Sequence, residues 1–223
     1  MIPWVLIDNA RVPGGEGELR LMRRGAEFSI MLGANELMNS RLGGSEAALG
    51  TLACAKIARR PAARVLIGGL GMGFTLRAVL AVLGPESKID VAELVPAVIA
   101  WARGPLAEVF GESLVDPRVS LFETDVRKPI QAARAAYDAI LLDVDNGPDG
   151  LTRSSNDALY GFSGLAAAHA ALRPGGVYAV WSSGRDPAFT AQLRKAGFGV
   201  EEVAPRAKGD KGGRHIVWLA TRR

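Results

Sequence analysis

Apolar and polar positions alternate over the first forty residues between turn signals: Trp4 to Asp8, then Pro13-Gly14-Gly15, then Glu18 to Met22, Arg24-Gly25, and Glu27 to Leu32. Period-two alternation broken by glycine and proline predicts half-buried strands, here a small antiparallel β-meander over residues 1–42. From Ser45 the period becomes helical. Ala48, Leu49, Leu52, Ala53, Lys56 and Ile57 share one largely apolar face, Ser45 is placed to cap the helix, and Pro61 helps to end it.

Short apolar runs then alternate with helical stretches: strand 64–67, helix 73–83, strand 89–93, helix 96–110, and strands 119–122 and 139–143. Helix 157–172, strand 177–181 and helix 187–196 follow. This alternation specifies a parallel sheet covered on both faces. The last two runs, Val200 to Ala204 and His215 to Thr221, are separated by a Gly-Asp-Lys-Gly-Gly loop at 209–213 with no helix between them, which predicts an antiparallel hairpin at the sheet edge. The expected fold is α/β, a Rossmann-like, mostly parallel seven-stranded sheet of the class I methyltransferase type. Its larger unit covers 43–223, and the small β-meander covers 1–42.

Composition narrows the function classes. With 223 residues, 48% of them hydrophobic, the chain can bury one substantial core. Its one cysteine, Cys54, lies in an apolar helical stretch, which argues against a disulfide framework or a cysteine metal cluster and for an inert buried thiol. No apolar run approaches the roughly 20 residues of a membrane span, and Met1 to Asp8 lack the basic start and apolar core of a secretion signal, so a cytoplasmic protein is expected. The net charge of +4 owes much to Arg206, Lys208, Lys211, Arg214, Arg222 and Arg223, a solvated hairpin rather than a basic surface interleaved with aromatics. Neither a nucleic acid nor a membrane is expected as a partner, and no metal site is read.

The candidate chemistry gathers at strand ends. Val65-Leu66-Ile67 runs into Gly68-Gly69-Leu70-Gly71-Met72-Gly73, a turn that lets the backbone approach a ligand and opens a helix whose N–H groups face it. A tight strand-to-helix turn also requires glycine for structural reasons alone. About twenty residues on, Glu93 ends the next apolar strand, where a carboxylate can accept both hydroxyl hydrogens of a ribose. Asp125 follows the third strand, placed to accept from an adenine amino group. The fourth strand ends in Asp143-Val144-Asp145-Asn146, a group able to hold a cationic amine and take its proton, or else an Asx turn with solvated acids. Ligands of open α/β sheets collect outside the carboxyl ends of the strands, so these positions point to one crevice. His169, inside a helix, and His215, at the start of an edge strand, are read as structural.

These residues together resemble the spermidine synthase (polyamine aminopropyltransferase) family. The resemblance rests on the N-terminal β segment, Gly68 to Gly73, Glu93, Asp125, the Tyr137-Asp138 to Asp143 strand, Leu159-Tyr160 and Arg173-Pro174-Gly175-Gly176. It implies transfer of an aminopropyl group from decarboxylated S-adenosylmethionine to an amine or polyamine acceptor, without a metal. Gly68, Gly69, Gly71, Gly73, Glu93, Leu94, Asp125, Val126 and Asp143 are then the cofactor-binding set, and Asp143, Asp145 and Glu46 act on the amine. The sequence departs from the family pattern at Met72, where the family carries an Asp, and at Gly44-Ser45-Glu46, which stands for a Tyr-His-Glu. Methyl transfer from intact S-adenosylmethionine to a small cationic substrate therefore stays open, as does an inactive nucleoside-binding homologue. The meander edges leave a homodimer open.

Overall fold

The computed structural model describes residues 2–14, 17–144, 157–208 and 211–223. The meander is a four-stranded antiparallel sheet of β1 (Val5–Arg11), β2 (Glu18–Arg24), β3 (Glu27–Leu32) and β4 (Asn35–Asn39), paired in that order. The fourth strand was not read from the sequence. In β2 and β3 the alternate residues Leu19, Leu21, Phe28 and Ile30 are buried, so this sheet has one inner face.

Helix α1 (Gly44–Ile57) leads into a mostly parallel sheet of β5 (Arg64–Gly68), β6 (Lys88–Glu93), β7 (Val119–Glu123), β8 (Tyr137–Leu142) and β9 (Leu172–Ser182). The antiparallel strands β10 (Phe198–Val203) and β13 (Ile216–Arg222) complete it, and the strand order is β10-β13-β9-β8-β5-β6-β7. The expected seven strands, with the hairpin at one edge, are therefore present. Strands β5 and β8 are neighbours, but β5 continues to β6 on one side while β8 continues to β9 on the other. That reversal opens the crevice at their carboxyl ends.

The central strands read as continuous apolar runs because both of their faces are covered. Val65, Ile67, Ala139, Leu141, Val177 and Ala179 pack with α1, with α2 (Phe74–Val82), with α3 (Pro96–Arg103) and with the inner face of the N-terminal sheet. Their alternates Leu66, Ile140, Leu142, Tyr178 and Val180 pack on the other face with α7 (Phe162–Ala171) and α8 (Pro187–Lys195). The N-terminal sheet thus shares a core with the larger sheet.

Several expectations change. Ser45 is not the cap of α1: Gly43 occupies that position without a side-chain cap, and the Ser45 hydroxyl is bonded elsewhere. The helix expected over 96–110 breaks at Gly104-Pro105 into α3 and α4 (Ala107–Phe110), because proline offers no N–H to continue it. The helix expected over 157–172 is interrupted at Gly161 between α6 (Asp157–Tyr160) and α7, and Leu172 already belongs to β9. A short helix α5 (Arg127–Ala132) follows β7. Residues 211–213 of the expected glycine-rich loop are in strand: β11 (Arg206–Lys208) and β12 (Lys211–Arg214) form a two-stranded ribbon lying on the start of α1. Contact there is close enough that a Cβ on Gly44 would sit 2.8 Å from the Ala207 carbonyl oxygen. Cys54 is fully buried, and burial pushes its thiol up to about 12, an inert thiol as expected.

One buried charge ties the start of β8 to its surroundings. Asp138 is 1% exposed and accepts from Arg60, from Arg173 Nη1 at 2.7 Å and from the Arg64 backbone N–H at 2.7 Å. Asp138→Ala is expected to cost about 3 kcal/mol, because it orphans a backbone donor and two guanidinium groups at once. Urea unfolding of both proteins measures this as a lower midpoint at an unchanged slope.

Candidate active site

The glycine turn is shaped by what passes behind it. Gly69 has φ 87°, and a Cβ there would lie 2.2 Å from the carbonyl oxygen of Asp143. Gly73, with φ 72°, caps α2, and a Cβ on it would meet the Phe110 ring at 2.5 Å. The left-handed conformation and the missing side chain are both required at each position. Gly69 and Gly71 line a pocket of about 170 Å³ over the carboxyl ends of the strands, whereas Gly68 and Gly73 stand behind it as packing.

Glu93, Leu94, Asp125, Val126, Asp143 and Glu46 all line this same pocket, so the strand-end residues named from the sequence converge. Asp145 falls outside the described residues. Glu93 is buried at the end of β6, where Oε2 accepts from the Leu70 N–H and Oε1 from the Val95 N–H, each at 2.8 Å. Burial raises its pKa, and the N–H groups of Val95, Leu70 and Leu94 oppose that rise. Each carboxylate oxygen has two acceptor sites, so the group keeps capacity for a ligand hydroxyl beyond these N–H donors. Asp125 is engaged by its neighbour: Arg127 Nη2 lies 2.6 Å from Oδ2, and the Arg127 backbone N–H donates to Oδ1 at 2.9 Å.

The opposite end of the pocket is acidic in a different way. Asp143 Oδ2 accepts from the Thr75 hydroxyl at 2.7 Å. Its carboxyl is pushed up to about 7, chiefly by burial and then by the charge of Glu46, with the Thr75 bond opposing. Glu46, in the first turn of α1, accepts at Oε2 from the Ser45 hydroxyl at 2.6 Å. Among the described residues no lysine or arginine forms an ion pair with Asp143 or Glu46, in contrast to Asp125 and Asp138.

The remaining wall was not foreseen as part of a site. Leu19, Ile30, Leu37 and Met38 of the N-terminal sheet close the pocket, together with Phe74; Met72, read from the sequence as part of the glycine turn, lines it too. Trp181, near the end of β9, also lines it, and its buried Nε1–H has no hydrogen-bond partner among the described residues. Its place beside the carboxyl end of a parallel strand is the signal that would have found it. His169 packs edge-on to Phe198 at 5.1 Å, a structural setting as read. His215 instead lies with Nδ1 2.7 Å from the Ser45 hydroxyl oxygen, behind Glu46.

No family model matches the chain. A stretch of 81 residues, 36% of the chain, is 38% identical to the polyamine aminopropyltransferase of Korarchaeum cryptofilum and covers 25% of that protein. A stretch of 145 residues, 61% of the chain, is 34% identical to the polyamine aminopropyltransferase of Mycobacterium tuberculosis and covers 27% of it. These matches thus span about a quarter of the length of the curated relatives. Spermidine synthase from Thermotoga maritima superposes at a TM-score of 0.74 with 16% identity, over 98% of this chain and 72% of that one. Human methyltransferase-like protein 13, solved in complex with SAH, superposes at 0.62 with 24% identity, over 80% of this chain and 82% of that one. The chain therefore has the fold that spermidine synthases share with methyltransferases, and over part of its length it resembles the polyamine aminopropyltransferases in sequence as well.

Proposed function

We propose that the chain is a spermidine synthase-like transferase that moves an aminopropyl group from decarboxylated S-adenosylmethionine to an amine. The observation that carries this reading is the pair of acids, Asp143 and Glu46, facing one pocket with no basic side chain paired to either among the described residues. A protonated amine supplies the missing positive charge there. A nucleoside at the other end is supported by Glu93, which keeps capacity for a ligand hydroxyl, and by the glycine backbone of the adjacent wall.

The donor, when bound, brings a carbon activated by an adjacent sulfonium, so its C–S bond breaks as the amine nitrogen bonds to that carbon. The chain's part is positioning and proton handling. Glu93 holds the ribose hydroxyls, Asp125 with Leu94 and Val126 borders the base, and Glu46 with Asp143 holds the amine. Asp143 takes one proton from the bound ammonium, which frees the nitrogen lone pair that forms the new bond, and the product amine keeps the positive charge as the thioether leaves neutral. A group pushed up to about 7 can both accept that proton and return it to solvent near neutrality.

Methyl transfer from intact S-adenosylmethionine is the second reading, favoured by Met72. Its side chain is buried in the pocket wall, and a thioether there offers no charge to an ammonium group. The two readings separate by titration calorimetry with S-adenosylmethionine, its decarboxylated form, S-adenosylhomocysteine and methylthioadenosine. Aminopropyl transfer requires preference for the decarboxylated donor and methylthioadenosine. Preference for the intact donor and S-adenosylhomocysteine establishes methyl transfer, and failure of folded protein to bind any of the four overturns both. Glu93→Gln is expected to weaken the preferred nucleoside about 10- to 100-fold, through loss of the charge that the ribose hydroxyls face.

The raised pKa of Asp143 has a signature in stability. The folded protein keeps this proton up to about pH 7, whereas the unfolded chain releases it near 3.8, so the group's contribution to stability falls as pH rises between those values. Asp143→Asn, which cannot ionise, is expected to match the parent near pH 4 and to exceed it in urea midpoint at pH 8. Equal midpoints at pH 8 would contradict the burial of this charge.

A further inference from the structure

An imidazole stands behind the acidic end of the pocket, outside the roles assigned above. Three contacts fix His215 where β12 meets β13. Its backbone N–H donates to the Pro205 carbonyl at 3.0 Å, its ring lies edge-on to Trp181 at 4.8 Å between centroids, and Nδ1 is 2.7 Å from Ser45 Oγ. Ser45 is fully buried, and its hydroxyl donates to Glu46 Oε2 at 2.6 Å.

A serine hydroxyl has one hydrogen and two acceptor lone pairs. With that hydrogen given to Glu46, Ser45 can only accept from His215, so Nδ1 must be the ring nitrogen that carries a hydrogen. The three groups then form a directed chain, Nδ1–H to Oγ and O–H to Oε2. Such a chain holds one oxygen of Glu46 in place and leaves the other oxygen for the pocket that Glu46 lines. Burial holds the imidazole pKa down and the charge of Glu46 opposes this, consistent with a ring that works as a neutral donor.

We propose that His215 is a positioning residue for the amine-binding end of the site: through Ser45 it orients the Glu46 carboxylate toward the substrate amine. The role of the amine rests on the proposed function; the hydrogen-bond direction does not. The sequence gives no local hint of it, because Ser45 and His215 are 170 residues apart.

The chain has two histidines, so nitrogen NMR of the labelled protein, with His169→Gln to assign the signals, reads the His215 tautomer directly. The expected state is Nδ1–H with Nε2 unprotonated, lost in Ser45→Ala. An Nε2–H tautomer with bare Nδ1 overturns the proposal, since Ser45 would then donate to the ring and not to Glu46. In turnover, His215→Ala is expected to raise KM for the amine about tenfold with nucleoside affinity unchanged by calorimetry. Ser45→Ala should do the same, the double variant should be no worse than the worse single one, and His215→Gln, which restores an N–H donor, should recover part of the loss. An unchanged amine KM in His215→Ala, or additive losses in the double variant, also overturns it. Wild-type protein that shows the Nδ1–H tautomer but turns over no amine counts against the proposed function and leaves the hydrogen-bond direction standing.

Discussion

The site depends on how closely three strand ends can be brought together by main chain alone. The Gly69 N–H donates to the Ala92 carbonyl and the Asp143 N–H to the Gly68 carbonyl, each at 2.9 Å. These bonds clamp the turn after β5 between the ends of β6 and β8. Gly69 passes the Asp143 carbonyl so tightly that no side chain fits between them. Glu93 and Asp143 are the residues at or next to these bonds, so their separation is inherited from backbone geometry and owes little to how either side chain packs.

On that frame the two ends of the pocket handle charge differently. Glu93 is satisfied by backbone donors and Asp125 by Arg127, which leaves both as fixed acceptors. Asp143 and Glu46 are held by hydroxyls, Thr75 and Ser45, which orient a carboxylate without neutralising it. Hydroxyl bonds of this kind leave the attraction for a cation intact. The apolar wall from Leu19, Ile30 and Met38 lowers the local dielectric and strengthens that attraction.

Much of this architecture was legible from residue order. Strands β5, β6 and β8 are buried on both faces and so are mainly apolar, with Asp90 and Asp138 as their buried exceptions, and Glu93 and Asp143 stand where these runs stop. Local chemistry misled at Ser45, a good cap by type whose hydroxyl is taken by Glu46 and His215. The pocket wall from the N-terminal sheet was hidden for another reason: the alternation in β2 and β3 marks a buried face without saying what it is buried against. The structure also sets an imidazole beside Ser45, where the family pattern has its own histidine in sequence, but it arrives from the far side of the fold.

That last contact bears on the order in which the protein comes together and comes apart. Closing a loop of 170 residues gains nothing until the sheet between its ends exists, so the bond from His215 to Ser45 belongs to the late stages of folding. The end of the pocket with the glycine turn and Glu93, built from the consecutive strands β5, β6 and β7, asks for far shorter closures. A fluctuation that lifts the β10–β13 hairpin and its ribbon from α1 would therefore free the Glu46 side chain of its support while the glycine turn and Glu93 stay formed, so that the two ends of the pocket come apart separately.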